Sequence, residues 1–507
     1  MSKRNVLVVM LLLAALVVTA LPNLGSAPIQ AQDGEGVLID LDHPYAPFLE
    51  SRAYAASLGA TAEFRKMEYV AIDPVNMKLY LAMSEVGRGM SDGEGDVNVD
   101  ENLCGIVYEG DLDENMNTTE LRPLIIGGPY DPEGGANRCD VNNIANPDNL
   151  EVDARGRVWI YEDTGFHENN MAWVYDPADG SLKRFAYTQL GAEVTGARIA
   201  PNGSLFLNIQ HPDAMNIYPY NASTVGVVTN FNANEDDFES IAVPEGDDKR
   251  IAGVAAGEYQ ILGRVGDPIP GDPHGLAFGQ VVRPDGTTQL FCNQADGNMY
   301  LPTNSAGTEG ILYTNFECRP GTLSRLNIAL QADGTWLVQD GEVVDFASVN
   351  GTWNNCGASN TPWNTGLTAE EYEPYAGDLT SVADLTDYLG RQANPYDYGW
   401  IVELEPFAVG NRITKRYAMG RRSHENSWVA PDEQTVYFGD DGSDVVLFKF
   451  VAEEPGDLSA GTLYAARVTQ TGGTGDDHAF QLEWIELGFG FDDEIEAAVR
   501  EIDAQLQ

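Results

Sequence analysis

The sequence predicts an all-β fold, and three observations support that prediction. Short apolar runs of strand length alternate with turn residues along most of the chain. Glycine and proline are abundant, with 53 and 26 residues among 507, which favours many short strands over long helices. A pattern of acid, strand, turn, strand and acid recurs six times. We therefore expect repeated antiparallel hairpins.

The six copies of the hairpin share one layout. In each copy a polar residue opens the first strand and another closes the second, so a regular hairpin pairs the two at a common rim. In the sixth copy these residues are Glu425 at the start, and Asp440 and Asp441 at the end. The copies run over residues 68–85, 148–163, 193–211, 296–317, 355–371 and 420–441.

Radial repetition of these hairpins predicts an irregular six-bladed β-propeller whose innermost strands bring the acids to a central axis. Long insertions, expected to be loops over one face, lie near residues 86–103, 230–270 and 373–396. We predict a single domain over residues 34–507, although an acidic, glycine-rich stretch at 234–275 also fits two stacked β domains. Only the tail, residues 492–507, has helical spacing of apolar residues.

Residues 1–33 have the pattern of a secretory signal peptide. Lys3 and Arg4 precede a short apolar core at residues 6–21, and small residues follow at 25–27. No later stretch is apolar enough for a membrane span, so we expect a mature protein without one. The predicted location is therefore secreted or periplasmic.

The five cysteines of an exported chain leave at least one thiol unpaired. Cys104 and Cys139 form a plausible disulfide across a long loop, whereas Cys292, Cys318 and Cys356 lie close to the later hairpins. No CxxC pattern indicates zinc. The connectivity of the later three stays open at the level of sequence.

The charge balance is strongly acidic. Seventy-eight acidic against 29 basic side chains give a formal net charge of −49. Such a chain repels nucleic acid, so we expect no nucleic-acid partner, and the acidic balance suggests divalent cations or a saline habitat. Most of the acids must lie on the surface and keep the protein soluble, and we predict a monomer.

Motifs spread over most of residues 60–470 share features with one known family. They lie at residues 66–69, 147–150, 193–196, 208–212, 315–317, 355–356, 361–363, 370–371, 420–425, 439–441 and 461–467. Together they resemble the PhoX family of secreted bacterial alkaline phosphatases, which are calcium- and iron-dependent six-bladed propellers. In that family the segments matching 290–470 usually precede those matching 60–215. The chain is thus similar to a circularly permuted member, which a closed ring of blades tolerates.

The repeat and the resemblance together imply a metal cluster on the axis, with calcium, and iron as a further metal. Hard cations take several oxygen ligands, and carboxylates from separate strands can surround an ion without local motif spacing. The predicted ligands are Glu68, Asp148, Glu193, Asp296, Glu317, Glu371, Glu425 and Asp440. The alternative for each acid is that it caps a turn or faces solvent.

The resemblance implies a secreted, metal-dependent phosphomonoesterase that acts on small phosphorylated substrates. Arg422 is predicted to bind the phosphate, because it is closer than Arg421 to Glu425, and His424 to orient a ligand or meet substrate, a role also open to His211. Two alternatives stay open. One is another calcium-propeller hydrolase, such as a phytase, phosphodiesterase or lactonase; the other is a non-catalytic extracellular propeller that keeps calcium for stability.

Overall fold

The structure, a computed structural model, describes residues 36 and 38–506. The predicted signal peptide at residues 1–33 lies outside the described residues. Strands dominate the described chain, so the predicted all-β class is confirmed.

The strands before residue 270 are β1 (Phe64–Asp73), β2 (Lys78–Met83), β3 (Ile106–Asp111), β4 (Glu120–Ile126), β5 (Pro147–Val152), β6 (Val158–Glu162), β7 (Met171–Asp176), β8 (Ser181–Tyr187), β9 (Glu193–Ile199), β10 (Leu205–Gln210), β11 (Thr224–Thr229), β12 (Gly253–Val254) and β13 (Glu258–Arg264). Those after it are β14 (Gln280–Val282), β15 (Thr288–Phe291), β16 (Ala295–Pro302), β17 (Glu309–Phe316), β18 (Thr322–Leu330), β19 (Trp336–Val343), β20 (Asn355–Asn360), β21 (Gly366–Glu370), β22 (Ile401–Glu405), β23 (Arg412–Lys415), β24 (His424–Val429), β25 (Thr435–Val445), β26 (Phe448–Glu454), β27 (Asp457–Thr471) and β28 (Ala479–Phe491).

All six predicted hairpins form antiparallel pairs. These pairs are β1–β2, β5–β6, β9–β10, β16–β17, β20–β21 and β24–β25. The first strands of the hairpins are almost fully buried, unlike the alternating pattern of a strand with one wet face. They contact one another in cyclic order, β1 to β5, β9, β16, β20 and β24, and β24 contacts β1 again.

The hairpins extend outward into larger sheets. Four of these sheets have the strand orders β12-β8-β7-β6-β5, β13-β11-β10-β9, β16-β17-β18-β19 and β20-β21-β22-β23, and β14 pairs with β15 alone. The first and last hairpins do not have separate sheets. They share one nine-stranded sheet, β1-β2-β3-β4-β28-β27-β26-β25-β24, because β4 pairs with β28 and β1 also pairs with β25.

Side chains of buried asparagines connect neighbouring hairpins by hydrogen-bonding to the backbone of the adjacent hairpin. Asn426 accepts a hydrogen bond from Val70 N (2.9 Å) and donates one to Val70 O (2.8 Å). Asn149 accepts from Gly196 N (2.9 Å), and Asn298 donates to Gly196 O (2.8 Å). Only glycine fits at position 196, where φ is +61° and a Cβ would lie 2.3 Å from a neighbouring carbonyl oxygen. These bonds satisfy backbone groups that strand pairing leaves free.

Four α-helices complete the described fold. They are α1 (Ala46–Leu49), α2 (Ser51–Ser57), α3 (Ala383–Leu389) and α4 (Asp492–Leu506). The helix predicted at 492–507 is confirmed, and Ile495, Val499 and Ile502 bury its apolar face. The expectation that only the tail is helical was wrong: α1 to α3 are too short for a periodic signal, and β12, β13 and α3 occupy stretches predicted as loops. Among the residues that the structure describes, no helix is long and apolar enough to cross a membrane.

A candidate metal centre where six hairpins meet

The polar ends of the six hairpins surround one small cavity of about 70 Å³. Nine carboxylates, one thiol and one ammonium group lie in its wall, and every hairpin supplies at least one of the acids. The wall comprises Lys66, Glu68, Asp148, Asn149, Asp163, Glu193, Thr195, Asp296, Glu317, Cys356, Glu371, Tyr372, Glu425 and Asp441. So many acids around so small a space supply the oxygen donors that a cation site needs.

An irregularity in strand register places most of the inner acids. In β1 one extra residue is inserted between Met67 and Val70 relative to β2, and the extra stretch contains Glu68. The same two-against-one pairing occurs in β5, β16, β20 and β24, at the positions of Asp148, Asp296, Cys356 and Glu425. Such β-bulges bend a strand locally and redirect a side chain. Five of the six hairpins therefore use the same device to direct a ligand-type residue into the cavity.

Within the wall, potential ligand atoms form groups close enough to share an ion. Ligand atoms of Cys356, Glu371 and Glu425 all lie within 4.8 Å of one another, as do those of Cys356, Asp296 and Glu317. A third group contains Asp163, Glu193 and His211. His211 Nε2 lies 3.2 Å from a Glu193 oxygen, and its side chain is 42% exposed, at the outer edge of the centre.

The acids perturb one another strongly. Burial is the main cause and neighbouring carboxylates the second, and together they raise the carboxyl pKa well above its usual value. The acids affected are Asp148, Glu193, Asp296, Glu371 and Glu425. The same causes raise the pKa of Glu68 to about 7, although Lys66 opposes them. Burial and the surrounding acids also raise the pKa of the Cys356 thiol. A bound cation would reverse this effect, because it favours the ionised form of each ligand.

Unpartnered carboxylate oxygens are a second reason why the wall residues fit a cation. Asp296 Oδ1 and Asp441 Oδ1 are buried, and within the described chain neither accepts a hydrogen bond. Buried carboxylate oxygens are rarely left without a partner, so each has a free lone pair for a ligand. The oxygens suit calcium, whereas a thiolate in the same wall suits a transition metal.

Lys66 is the one cationic side chain in the wall. Its Nζ lies 2.8 Å from Asp441 Oδ2 and 3.2 Å from Glu68 Oε1. Its backbone has φ of +49°, a left-handed conformation uncommon for lysine. Burial lowers the pKa of Lys66, but Glu68 and Asp441 outweigh burial and raise it overall, so the ammonium stays charged. Lys66 is placed to meet an anionic group that enters the cavity.

The structure brings seven of the eight predicted ligands to the cavity and directs the eighth elsewhere. Asp440 is fully buried behind the wall, where Arg52 Nε donates to both of its carboxylate oxygens at 2.9 and 3.1 Å. Asp441, the next residue, lines the cavity in its place. Successive residues of a strand point to opposite faces, and sequence alone did not fix which acid points inward. Whether the seven bind metal remains a prediction.

The two residues predicted to be catalytic do not reach the cavity. Arg422 is fully buried, and its guanidinium lies 4.3 Å from the ring centroids of both Phe438 and Phe448. Burial lowers its pKa to about 9. His424 is also buried: its Nε2 lies 2.8 Å from Gly420 O and its ring meets the edge of Phe438. Neither side chain is in the wall, so neither is placed to contact a phosphate in this cavity.

Seven wall residues were absent from the predicted site, and four of them carry a carboxylate, a thiol or an ammonium group. Asp163 closes the second hairpin and Asp441 the sixth, so the repeat already pointed to both positions. Cys356 occupies the bulge position of β20 that acids occupy in other hairpins, a correspondence visible only once the register is known. Lys66 lies two residues before the acid of its hairpin, and no sequence signal marks its left-handed backbone.

Both long-loop disulfides lie outside the centre. Cys104 and Cys139 are bonded, as expected, with Cα atoms 6.1 Å apart. Cys292 and Cys318, whose pairing was open, form the second bond. Cys356 is therefore the free cysteine of the described chain, and it is buried in the wall of the cavity.

Fold and site together define a class: an all-β protein that gathers acids from six hairpins into one buried centre whose donor atoms fit cations. The model of the family described as alkaline phosphatase PhoX matches residues 34–213 and 322–506, which is well over half of the chain. The chain therefore belongs to the alkaline phosphatase PhoX family. Both matched segments contain wall residues, whereas Asp296 and Glu317 lie between them.

Solved structures show more distant likenesses. PhoX of Pseudomonas fluorescens in complex with vanadate is 20% identical with a TM-score of 0.31, and the match covers 45% of this chain and 59% of that one. An α-L-arabinanase of Penicillium chrysogenum is 8% identical (TM-score 0.39; 84% and 97% covered), and Drosophila Semaphorin 1a is 8% identical (TM-score 0.34; 76% and 86%). No curated protein matches the sequence. The family assignment rests on the sequence match.

Proposed function

We propose that this protein is an exported, metal-dependent phosphomonoesterase built as a single irregular six-bladed propeller. One observation carries the proposal: in a member of the alkaline phosphatase PhoX family, nine carboxylates converge on a cavity that also contains a lysine. The cyclic contacts of the six inner strands support the propeller. Two disulfides support an oxidising compartment.

The proposed cofactors are calcium, held by the carboxylates, and iron, held with the participation of Cys356. When bound, such cations act as Lewis acids that stabilise the negative charge on phosphoryl oxygens. Without them, an acidic cavity would repel a phosphate, so the ligand acids and the substrate need the cations between them. The ligand set is proposed as the seven predicted acids of the wall together with Asp163 and Asp441.

The chain's own residues supply binding and orientation. Lys66 replaces Arg422 as the proposed phosphate-binding residue, since its ammonium lies in the wall and its two carboxylate partners, Glu68 and Asp441, are themselves proposed metal ligands. The Tyr372 hydroxyl accepts from Lys66 Nζ at 3.5 Å and holds the ammonium group at the same edge. Fixed donors of this kind stabilise charge in the transition state without reorganisation.

The test combines metal analysis with turnover of 4-nitrophenyl phosphate by the full mature chain. We expect bound calcium, a transition metal and measurable hydrolysis, all reduced in Glu425→Gln, because an amide keeps the shape of the ligand but not its charge. The matched control is Glu494→Gln on the exposed face of α4. Calcium without hydrolysis would favour the non-catalytic, calcium-stabilised alternative, and no bound metal in the wild-type protein would refute the centre itself.

A further inference from the structure

A second cavity, of about 380 Å³, adjoins the metal centre. Tyr372 and Asp441 line both cavities, so a molecule bound at Lys66 can extend from one into the other. The size lies within the usual range of small-molecule sites. Its other walls include Leu38 from the segment before α1, Arg52 from α2, and Pro374 and Tyr375 from the insertion that follows β21.

The charged side chains of this second cavity are already occupied. Arg52 binds Asp440 and also Glu373, whose Oε1 lies 2.9 Å from Arg52 Nη1. Arg421 is 6% exposed, and its Nε donates to Tyr398 O at 2.8 Å. The cations of the wall are thus committed to partners within the chain, and little positive charge is left for a second anionic group of a ligand.

The most exposed large side chains of the cavity are two tyrosines and a leucine. The exposed fractions are 62% for Tyr375, 41% for Tyr372 and 50% for Leu38. The Tyr375 ring lies over Gly377, where an added Cβ would be 2.6 Å from ring atoms. An aromatic ring held against backbone in this way needs little further ordering when a ligand stacks on it.

The backbone of Tyr372 is held in place at some energetic cost. Its φ is +51°, which is uncommon for a bulky residue. Tyr372 N donates to Ser423 Oγ at 2.8 Å, and Trp353 Nε1 donates to Tyr372 O at 2.9 Å. Strain of this kind persists only where surrounding contacts enforce it, and it is concentrated at functional sites. Here it fixes a tyrosine at the boundary between the two cavities.

We propose that the second cavity binds the alcohol part of the phosphate ester and favours alcohols that carry a planar aromatic ring and no second phosphate. This inference rests on the proposed phosphatase function. Tyr375 supplies the stacking surface, while Glu50, Glu373 and Asp441 disfavour further negative charge. Nucleoside 5′-monophosphates and aryl-substituted alkyl phosphates both satisfy these requirements.

The experiment compares esters that differ only in the ring. Adenosine 5′-monophosphate is measured against ribose 5-phosphate, and 2-phenylethyl phosphate against ethyl phosphate, with the metal-loaded full chain. Each pair shares a primary alkyl leaving group, so intrinsic reactivity is nearly matched. We expect kcat/KM to be about tenfold higher for the ring-bearing ester, as stacking on one aromatic side chain would give. A preference in the adenosine pair alone would identify a nucleobase as the favoured ring.

Variants of Tyr375 test the assignment directly. Tyr375→Ala should reduce the ring preference to near unity, and Tyr375→Phe should keep it, because only the ring is required. Tyr218→Ala is the matched control, since Tyr218 is also a highly exposed tyrosine but does not line either cavity. Equal effects of the two alanine variants, or no ring preference in the wild-type protein, would overturn the proposal.

Calorimetric binding of the same four esters separates this proposal from the proposed function. Tighter binding of the ring-bearing esters, lost in Tyr375→Ala but accompanied by no turnover of any ester, would support the second cavity and refute the phosphatase assignment. Turnover of all four esters at equal kcat/KM and with equal affinity would support the phosphatase assignment and refute the role of the second cavity.

Discussion

Removing metal from the centre should invert the pH dependence of stability. Burial and like charge raise the pKa of Glu68 from 4.5 to about 7 in the folded, metal-free chain. A folded-state pKa above the unfolded value means that the folded chain holds the proton more tightly. The stability from that proton is complete below the unfolded pKa of about 4.5 and is lost as pH rises through about 7.

The size of the effect follows from the same pKa values. A rise from 4.5 to about 7 corresponds to about 3 kcal/mol of unfolding free energy for Glu68 alone. The other wall acids with raised pKa act in the same direction. With metal bound the sign changes, since ionised acids bind cations more tightly and a ligand of the native state adds stability.

Urea unfolding at pH 5, 6, 7 and 8, with calcium and with chelator, measures this directly. We expect the unfolding free energy of the metal-free protein to fall as pH rises. In Glu68→Gln this fall should be smaller by about 3 kcal/mol. Glu454→Gln, at an exposed acid of β26, should keep the full fall. A metal-free protein whose stability is constant or rises between pH 5 and 8 would refute the buried, mutually repelling cluster.

Three further predictions concern single groups. Lys66→Ala should lower kcat/KM for 4-nitrophenyl phosphate by about 100-fold, whereas Arg422→Met should change kcat/KM by less than about threefold. Equal losses in steady-state kinetics would return Arg422 to the site. Cys356→Ser should lose bound transition metal but keep calcium, and unchanged elemental content would exclude the thiol as a ligand. Replacing Cys104 and Cys139 by alanine should cost about 4 kcal/mol of unfolding free energy in urea, given the 35-residue separation, and an unchanged midpoint would contradict the chain-entropy argument.

Much of the fold could be predicted because its signals are local. Each hairpin has its two strands and its turn within about twenty residues. The alternation of apolar residues and the turn residues therefore predict the hairpin, as they do for the pairing of β24 with β25. The pairing of β1 with β25 joins Phe64 to Val445, and no local pattern encodes a contact over that distance. The nine-stranded sheet was therefore missed, as were helices too short for a periodic signal.

The site divides in the same way. Acids at hairpin ends were found because the repeat marks them, and seven of eight lie in the wall. Asp440 was misplaced because it and Asp441 are successive residues of β25 and face opposite ways. Arg422 was misplaced because it was chosen by its closeness in sequence to Glu425, although it lies outside β24. The bulges add to this uncertainty, because one inserted residue reverses the facing of every side chain beyond it. Register irregularities depend on neighbouring strands, and sequence periodicity does not report them.

The shared sheet of the first and last hairpins has a consequence for the uptake of the proposed metal. β1 carries Glu68 near the beginning of the described chain, and β25, with which it pairs, carries Asp441 near the end. Most of the other strands lie between these two in the sequence. Contacts so distant in sequence form slowly, because a long loop must close before any of them stabilises the chain. Until that closure, the acids of the wall are separate and hydrated, and each binds a cation weakly. The rate of metal uptake during refolding should therefore report the final closure of this sheet, which follows the formation of the individual hairpins.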